Sequence, residues 1–165
     1  MHGGMKPMNV NLRVKESFCV IGKEGKGTSQ EALIWIPPLW EDANKHLDEI
    51  RYLAKKDDSG SFSGFWGAMT DLDHTYQRWN GSGKYLAGVE AERNALAPHG
   101  WTKWVIPGYI YAVIKVENEQ YQATFQYMLD QYLVENRFKT VGAIHEYYNP
   151  TENGQLYLYF PIERI

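Results

Sequence analysis

The sequence predicts a single α+β domain in which one strand-helix-strand-strand unit is used twice. Its strands would join into one antiparallel sheet with both helices covering one face. Three observations predict this. Apolar residues recur at helical spacing in two segments, at Leu39, Trp40, Ala43, Leu47, Ile50 and Ala54, and again at Tyr121, Phe125, Met128 and Tyr132, with Leu129 and Leu133 beside them. Each segment follows a strand-like run and is itself followed by two more. A chain of 165 residues can bury one well-formed core and is short for two.

Taken in order, residues 1–12 contain glycines at 3 and 4 and a proline at 7, and are expected to be a flexible start. Val14, Phe18 and Val20 with polar neighbours predict a first strand over 13–25, with a loop over 25–31. Pro37 and Pro38 then open the first helix, expected over 38–55, because a first-turn proline lacks only a donor that would be unpaired there anyway. The cluster Asp57-Asp58-Ser59-Gly60 is a turn, followed by a strand over 62–70. Residues 71–83, with Asn80-Gly81 and Ser82-Gly83, are a connection. Strands follow over 85–93, 101–106 and 109–117, the last after the turn Pro107-Gly108. The second helix is expected over 119–135, and two closing strands over 140–148 and 155–163 flank a turn at 149–154. The sheet face left bare by the helices needs another occupant, and the cleft between the halves is a natural place for a ligand.

Composition excludes several functions. Net charge is −3, and Lys55-Lys56 runs straight into Asp57-Asp58, so no surface for direct nucleic-acid binding is expected. Cys19 has no second cysteine to pair with, and no signal peptide or apolar run near ~20 residues is present. A soluble cytoplasmic protein with no membrane partner is expected. Aromatic residues make up 15% of the chain, with 6 Trp and 12 Tyr, which fits either a ligand pocket or a small sheet protein filled with large side chains.

The most informative stretch is Ile144-His145-Glu146-Tyr147-Tyr148. On a strand, Ile144, Glu146 and Tyr148 share one face, and His145 and Tyr147 the other. A carboxylate set among tyrosines loses hydration, which raises its pKa unless hydrogen bonds or a cation compensate. The plainer alternative is a Glu146 solvated at an exposed strand end. Glu90 is the corresponding candidate in the first half, although Glu92 shares its face and two like charges favour solvent. The loop with His74, Tyr76 and Trp79 is either a lid over the cleft or an ordinary surface loop. The five histidines show no metal-ligand spacing with a second His, Cys or carboxylate on one helix face, so no metal is expected. Gly22 to Gly27 lacks the spacing of a phosphate loop, and no nucleophilic triad is recognisable.

Five marks in order resemble the gyrase-inhibitor-like family, the effector-binding domain also attached to AraC-type and MerR-type regulators. They are Ile36-Pro37-Pro38-Leu39-Trp40, then Tyr85-Leu86-Ala87-Gly88-Val89, then Ile106-Pro107-Gly108-Tyr109-Ile110-Tyr111-Ala112-Val113, then Glu146-Tyr147-Tyr148, and finally Pro161-Ile162. The resemblance runs from about residue 18 to the end and implies one domain over 13–165, made of pseudo-repeats over about 13–93 and 105–165. It implies a central cleft that binds small lipophilic, often cationic, compounds, with Glu146 meeting the positive charge. Trp40, Tyr85, Tyr111 and Tyr148 would form its aromatic walls, with Glu90 as a second candidate carboxylate. His145 departs from the family, which often has an apolar aromatic there. Haem, bound by distant relatives of this fold, would need an axial ligand, with only His145 to offer, so no cofactor is expected. Only a dozen residues precede Arg13, so a freestanding copy without a DNA-binding module is expected, and homodimerisation is compatible with it.

Three functions follow from the resemblance. The first is a drug-sensing or drug-sequestering binder, broad in selectivity because charge and apolar surface are recognised more than shape. The second is a hydrolase of reactive genotoxins such as cyclopropanoids, with Glu146 as general base and Tyr148 or Tyr111 as proton donor. The third is a protein partner, such as a modulator of DNA gyrase, acting through its surface.

Overall fold

The computed structural model describes residues 9–165. Eight strands form one antiparallel sheet: β1 (Val10–Lys15), β2 (Phe18–Thr28), β3 (Phe65–Thr70), β4 (Ser82–Ala91), β5 (Thr102–Ile106), β6 (Tyr109–Lys115), β7 (His145–Asn149) and β8 (Gln155–Arg164). Helix α1 (Ala32–Lys45) continues into 3-10 turns at Leu47–Glu49 and Arg51–Leu53. Helix α2 (Tyr121–Tyr127) runs into a π-helical turn, Met128–Tyr132, and a last α-helical turn, Leu133–Glu135. Among the described residues no helix is long and apolar enough to cross a membrane.

Across the sheet the order is β1-β6-β8-β7-β3-β4-β2-β5. Read outward from the centre, β3-β4-β2 and β7-β8-β6 repeat one pattern, so the predicted α+β unit is indeed used twice. The edges are exchanged: β1 precedes β2 in the chain but pairs with β6, and β5 precedes β6 but pairs with β2. That exchange forces the sheet to curl. β1 and β2 hold the first and seventh positions, about 29 Å apart in a flat sheet. The link Glu16-Ser17 reaches only about 11 Å. The sheet therefore bends until its edges approach, and Lys15 on β1 bonds to Glu90 on β4. Gly22 and Gly88 face each other in the β2–β4 pair, where an added Cβ on either would collide with the other strand's backbone.

The curl answers the question of the bare face. Phe18, Trp66, Trp104, Tyr109, Tyr111 and Tyr159 pack against one another inside it, so the sheet covers its own inner face. Much of the aromatic content is spent there. On the outer face α1 and its 3-10 turns place Ala43 and Ile50 on Ile21 and Val89, while the π turn and last turn that continue α2 place Met128 and Leu133 on Ile114, Leu158 and Phe160. Both helices thus lie on one face, as predicted.

Several boundaries differ, each for a physical reason. The expected flexible start over 1–12 falls partly on residues 1–8, outside the described residues, and partly on β1, which begins at Val10, ahead of the expected boundary at Arg13. The single strand expected over 13–25 is two strands, because Glu16-Ser17 is the crossing between sheet edges. α1 begins at Ala32 with Pro37 and Pro38 inside it rather than in its first turn. The carbonyls these prolines leave without donors belong to Leu33 and Ile34, residues that are 91% and 71% exposed, on the side of the helix open to water. In α2 the π turn sets Leu133 rather than Tyr132 on the core side beneath Met128.

Candidate functional site

β7 lies at the centre of the sheet, between β3 and β8, and presents Glu146 to the outer face between the two helices. Glu146 is only 9% exposed. Three hydroxyls donate to it: Tyr85 from β4 at 2.5 Å and Tyr148 from β7 at 3.1 Å, both to Oε1, and Tyr121 from the first turn of α2 at 2.7 Å to Oε2. Trp40 on α1 donates its Nε1–H to the Tyr85 oxygen at 2.9 Å. The Trp40 ring stands edge-on to Tyr148, with centroids 5.3 Å apart. Elements of both halves therefore meet on one carboxylate.

The meeting depends on a residue without a side chain. Gly67 on β3 is the cross-strand neighbour of Glu146, and a Cβ there would collide with the Tyr85 hydroxyl and with Glu146 Oε1. A glycine inside a strand is the sequence mark of such a close approach, and it went unread. Tyr121 was also missed as a ligand of Glu146; it counted only as a core position of the second helix.

Burial pushes the Glu146 carboxyl above its ordinary value, and the three hydroxyls pull against that shift without cancelling it. Burial, followed by the neighbouring Glu146 charge, pushes Tyr85, Tyr121 and Tyr148 well above the ordinary phenol value, so all three act as donors. Among the described residues no Lys, Arg or His forms an ion pair with Glu146.

Cavities open on either side. One, of about 300 Å³, lies between α1 and the sheet and is lined by Trp40, Asn44, Phe65 and Tyr148. The other, of about 280 Å³, is reached past Ile144 and includes Met69, Arg78, Trp79 and Phe125 in its lining. Along β7 they flank Glu146, since Ile144, Glu146 and Tyr148 share a face.

Of the residues singled out in the sequence, Glu146, Tyr148, Tyr85 and Trp40 come together. Tyr111 does not: it is fully buried in the inner core with Tyr109 and Tyr159, and its hydroxyl has no hydrogen-bond partner among the described residues. Glu90 also faces the inner side. It is 4% exposed rather than solvated, because β4 ends at Ala91 and Glu92 alone turns out to solvent. Lys15 lies 3.2 Å from its carboxylate, and the same ammonium sits 4.4 Å from the Phe18 ring centroid and 5.5 Å from that of Trp66. Trp66 adds an Nε1–H donor. The first half thus holds a buried carboxylate, aromatic faces and a cation of its own.

His145 points away from Glu146, as strand alternation requires. It is wholly buried, accepts the Met69 amide at Nδ1, and burial pulls its pKa down to about 3. The loop after β3 divides its aromatics. His74 and Tyr76 pack on Trp104 at the inner core, and only Arg78, Trp79 and Gly81 reach the second cavity. Asp42 on α1 and His46, the residue that caps its end, do lie at ligand spacing, 2.9 Å apart, contrary to the expected lack of such spacing, but among the described residues no third metal-ligating group joins them.

The family model described as integron-associated effector binding protein, Cass2, matches residues 11–162. No curated protein matches the sequence. Solved structures share the fold at low identity. SAV2435 bound to tetraphenylphosphonium is 17% identical, with 94% of each chain covered and a TM-score of 0.68. An integron cassette protein from the mobile metagenome of Vibrio cholerae is 15% identical, with 93% of this chain and 95% of that one covered and a TM-score of 0.59. The C-terminal domain of EcmrR is 14% identical, with 96% and 99% covered and a TM-score of 0.59. The chain belongs to the integron-associated effector binding protein family, whose fold is that of the gyrase-inhibitor-like effector-binding domains.

Proposed function

We propose that the cleft between α1 and α2 binds small lipophilic cations, with Glu146 as counter-charge, so that the protein senses or sequesters drug-like or toxic compounds. One observation carries this reading: Glu146 is buried among aromatic rings without a protein cation, whereas Glu90 in the same chain has Lys15. A ligand cation would supply at Glu146 what Lys15 supplies at Glu90. Surrounding ring faces add roughly 0.5 to 2 kcal/mol each by cation–π attraction.

The hydroxyls refine the ligand class. Oε1 of Glu146 already accepts from Tyr85 and Tyr148 and Oε2 from Tyr121, so of about four lone-pair sites only one is left for the N–H donors of an ammonium. A quaternary cation has no donor to place and interacts through charge alone. Tetraphenylphosphonium, bound by the SAV2435 protein, is a cation of this quaternary kind.

The test is tryptophan fluorescence and thermal shift against lipophilic cations and size-matched neutral analogues, on wild type and Glu146→Gln. Cations are expected to quench and stabilise the wild type and to lose that preference in the variant. Equal responses from the two proteins, or no response to any cation, would contradict the reading. Product formation from a bound compound would move it to the hydrolase.

A further inference from the structure

The second cavity differs from the first in charge. Arg78 lies in its lining, beside Met69, Trp79 and Phe125, and no carboxylate does. Arg78 is exposed and has no ion-pair or hydrogen-bond partner among the described residues. Trp79, the next residue, is fixed by stacking on Trp35, with centroids 5.6 Å apart, and by donating Nε1–H to the Lys84 carbonyl at 3.2 Å. The segment carrying Arg78 is therefore anchored over the cleft rather than free of it.

Ile144 in the second cavity and Glu146 lie on one side of the same chain segment, two residues and about 7 Å apart. Along this face the order is the cavity of Trp40 and Phe65, then Glu146 held under Tyr85, Tyr121 and Tyr148, then the cavity edged by Arg78; Glu146 itself lines neither cavity. Arg78 and Ile144 line the same cavity of about 280 Å³, so one cavity of that size separates the positive rim from the Ile144 end of the Glu146 face. An Arg fork pairs with a carboxylate through two parallel N–H donors, so the acceptor favoured there is a planar acid.

We infer that Arg78 forms an acid-binding subsite of the cleft, and that the ligand class it favours is an elongated aromatic zwitterion, with its cationic centre at Glu146 and its carboxylate at Arg78. This rests on the reading of Glu146 as counter-charge. It reverses the simplest expectation from charge: a carboxylate on a lipophilic cation should weaken binding to a site whose one buried charge is negative, unless a second group receives it.

The probes are pentyltriphenylphosphonium and (4-carboxybutyl)triphenylphosphonium, which differ by a terminal carboxylate on the same chain length. They are titrated by calorimetry into wild type, Arg78→Gln and Glu146→Gln. Wild type is expected to bind the carboxylate compound more tightly, by about twofold to fivefold for one charge-assisted contact at an exposed guanidinium. In Arg78→Gln the order should reverse, because the carboxylate then meets only Glu146. Equal or weaker binding of the carboxylate compound by wild type, or a preference that survives in Arg78→Gln, overturns the subsite while leaving the Glu146 reading in place. If Glu146→Gln binds both compounds as wild type does, or if wild type binds neither, the Glu146 reading itself fails and the subsite falls with it.

Discussion

The hydroxyl of Tyr85, from the first half of the chain, donates to Oε1 of Glu146, from the second, at 2.5 Å, directly over Gly67. Gly67→Ala is expected to separate the pair, since the new methyl would occupy the space of their contact. Overpacking of this kind costs about 1 to 3 kcal/mol. Thermal unfolding should show that loss, and the protein that still folds should have a weakened response to lipophilic cations.

Tyr121→Phe removes the donor on Glu146 Oε2 and leaves Tyr85 and Tyr148 on Oε1. The Tyr121 hydroxyl stabilises the ionised carboxylate, so without it the carboxyl should titrate higher in the variant. The acidic limb of the cation-binding profile should move up with it, which calorimetric titration across pH measures.

The pH dependence of the wild type has a definite sign. Burial raises the Glu146 pKa in the free folded protein, so the folded state holds this proton to higher pH than the unfolded chain. Its contribution to ligand-free stability is largest at low pH and is lost as pH rises through the folded value. Cations bind the ionised form, so affinity should rise over that same interval and fall on acidification.

His145 acts in the opposite sense. Its folded pKa of about 3 lies below the ordinary 6.5, so the unfolded chain takes up a proton that the folded protein refuses between those values. Stability should fall as pH drops from about 6.5 towards about 3. In His145→Asn, whose amide oxygen can still accept the Met69 N–H, denaturant unfolding at several pH values should show a flatter slope by about one proton.

Lys15→Ala leaves Glu90 buried with the Trp66 Nε1–H donor and, as its remaining cation, Lys55 at 3.9 Å. Breaking a fully buried pair costs about 3 to 5 kcal/mol. Lys15 is 26% exposed, so a loss of about 2 kcal/mol is expected by chemical denaturation. Adding Glu90→Gln should recover part of it.

How far the sequence revealed this molecule depended on the range of the signal. Alternation placed Glu146 and Tyr148 on one side and His145 and Tyr147 on the other, because a strand's period is local. Helical spacing gave both helices for the same reason, although exposed carbonyls let α1 absorb two prolines that spacing placed at its start. The exchange of β1 and β5 between the halves was not legible, since nothing in Glu16-Ser17 says which edge the next strand joins. Without the curl that follows from it, the inner core was invisible. Tyr111 and Glu90 were therefore assigned to a cleft they do not reach, and Glu90 was expected in solvent. Tyr121 escaped notice because its helical position explained it already, and Gly67 because its meaning lies in what crosses above it.

Tetraphenylphosphonium and tetraphenylborate have nearly the same shape and opposite charge, so their relative affinity isolates the electrostatic role of Glu146. Calorimetric titration of both into wild type and Glu146→Gln at neutral pH is the most direct test. Wild type should bind the phosphonium and not the borate, and the variant should bind the two with similar affinity. A phosphonium affinity unchanged by Glu146→Gln, or a wild type that does not discriminate between the two ions, would contradict the assignment of this carboxylate as the counter-charge of the cleft.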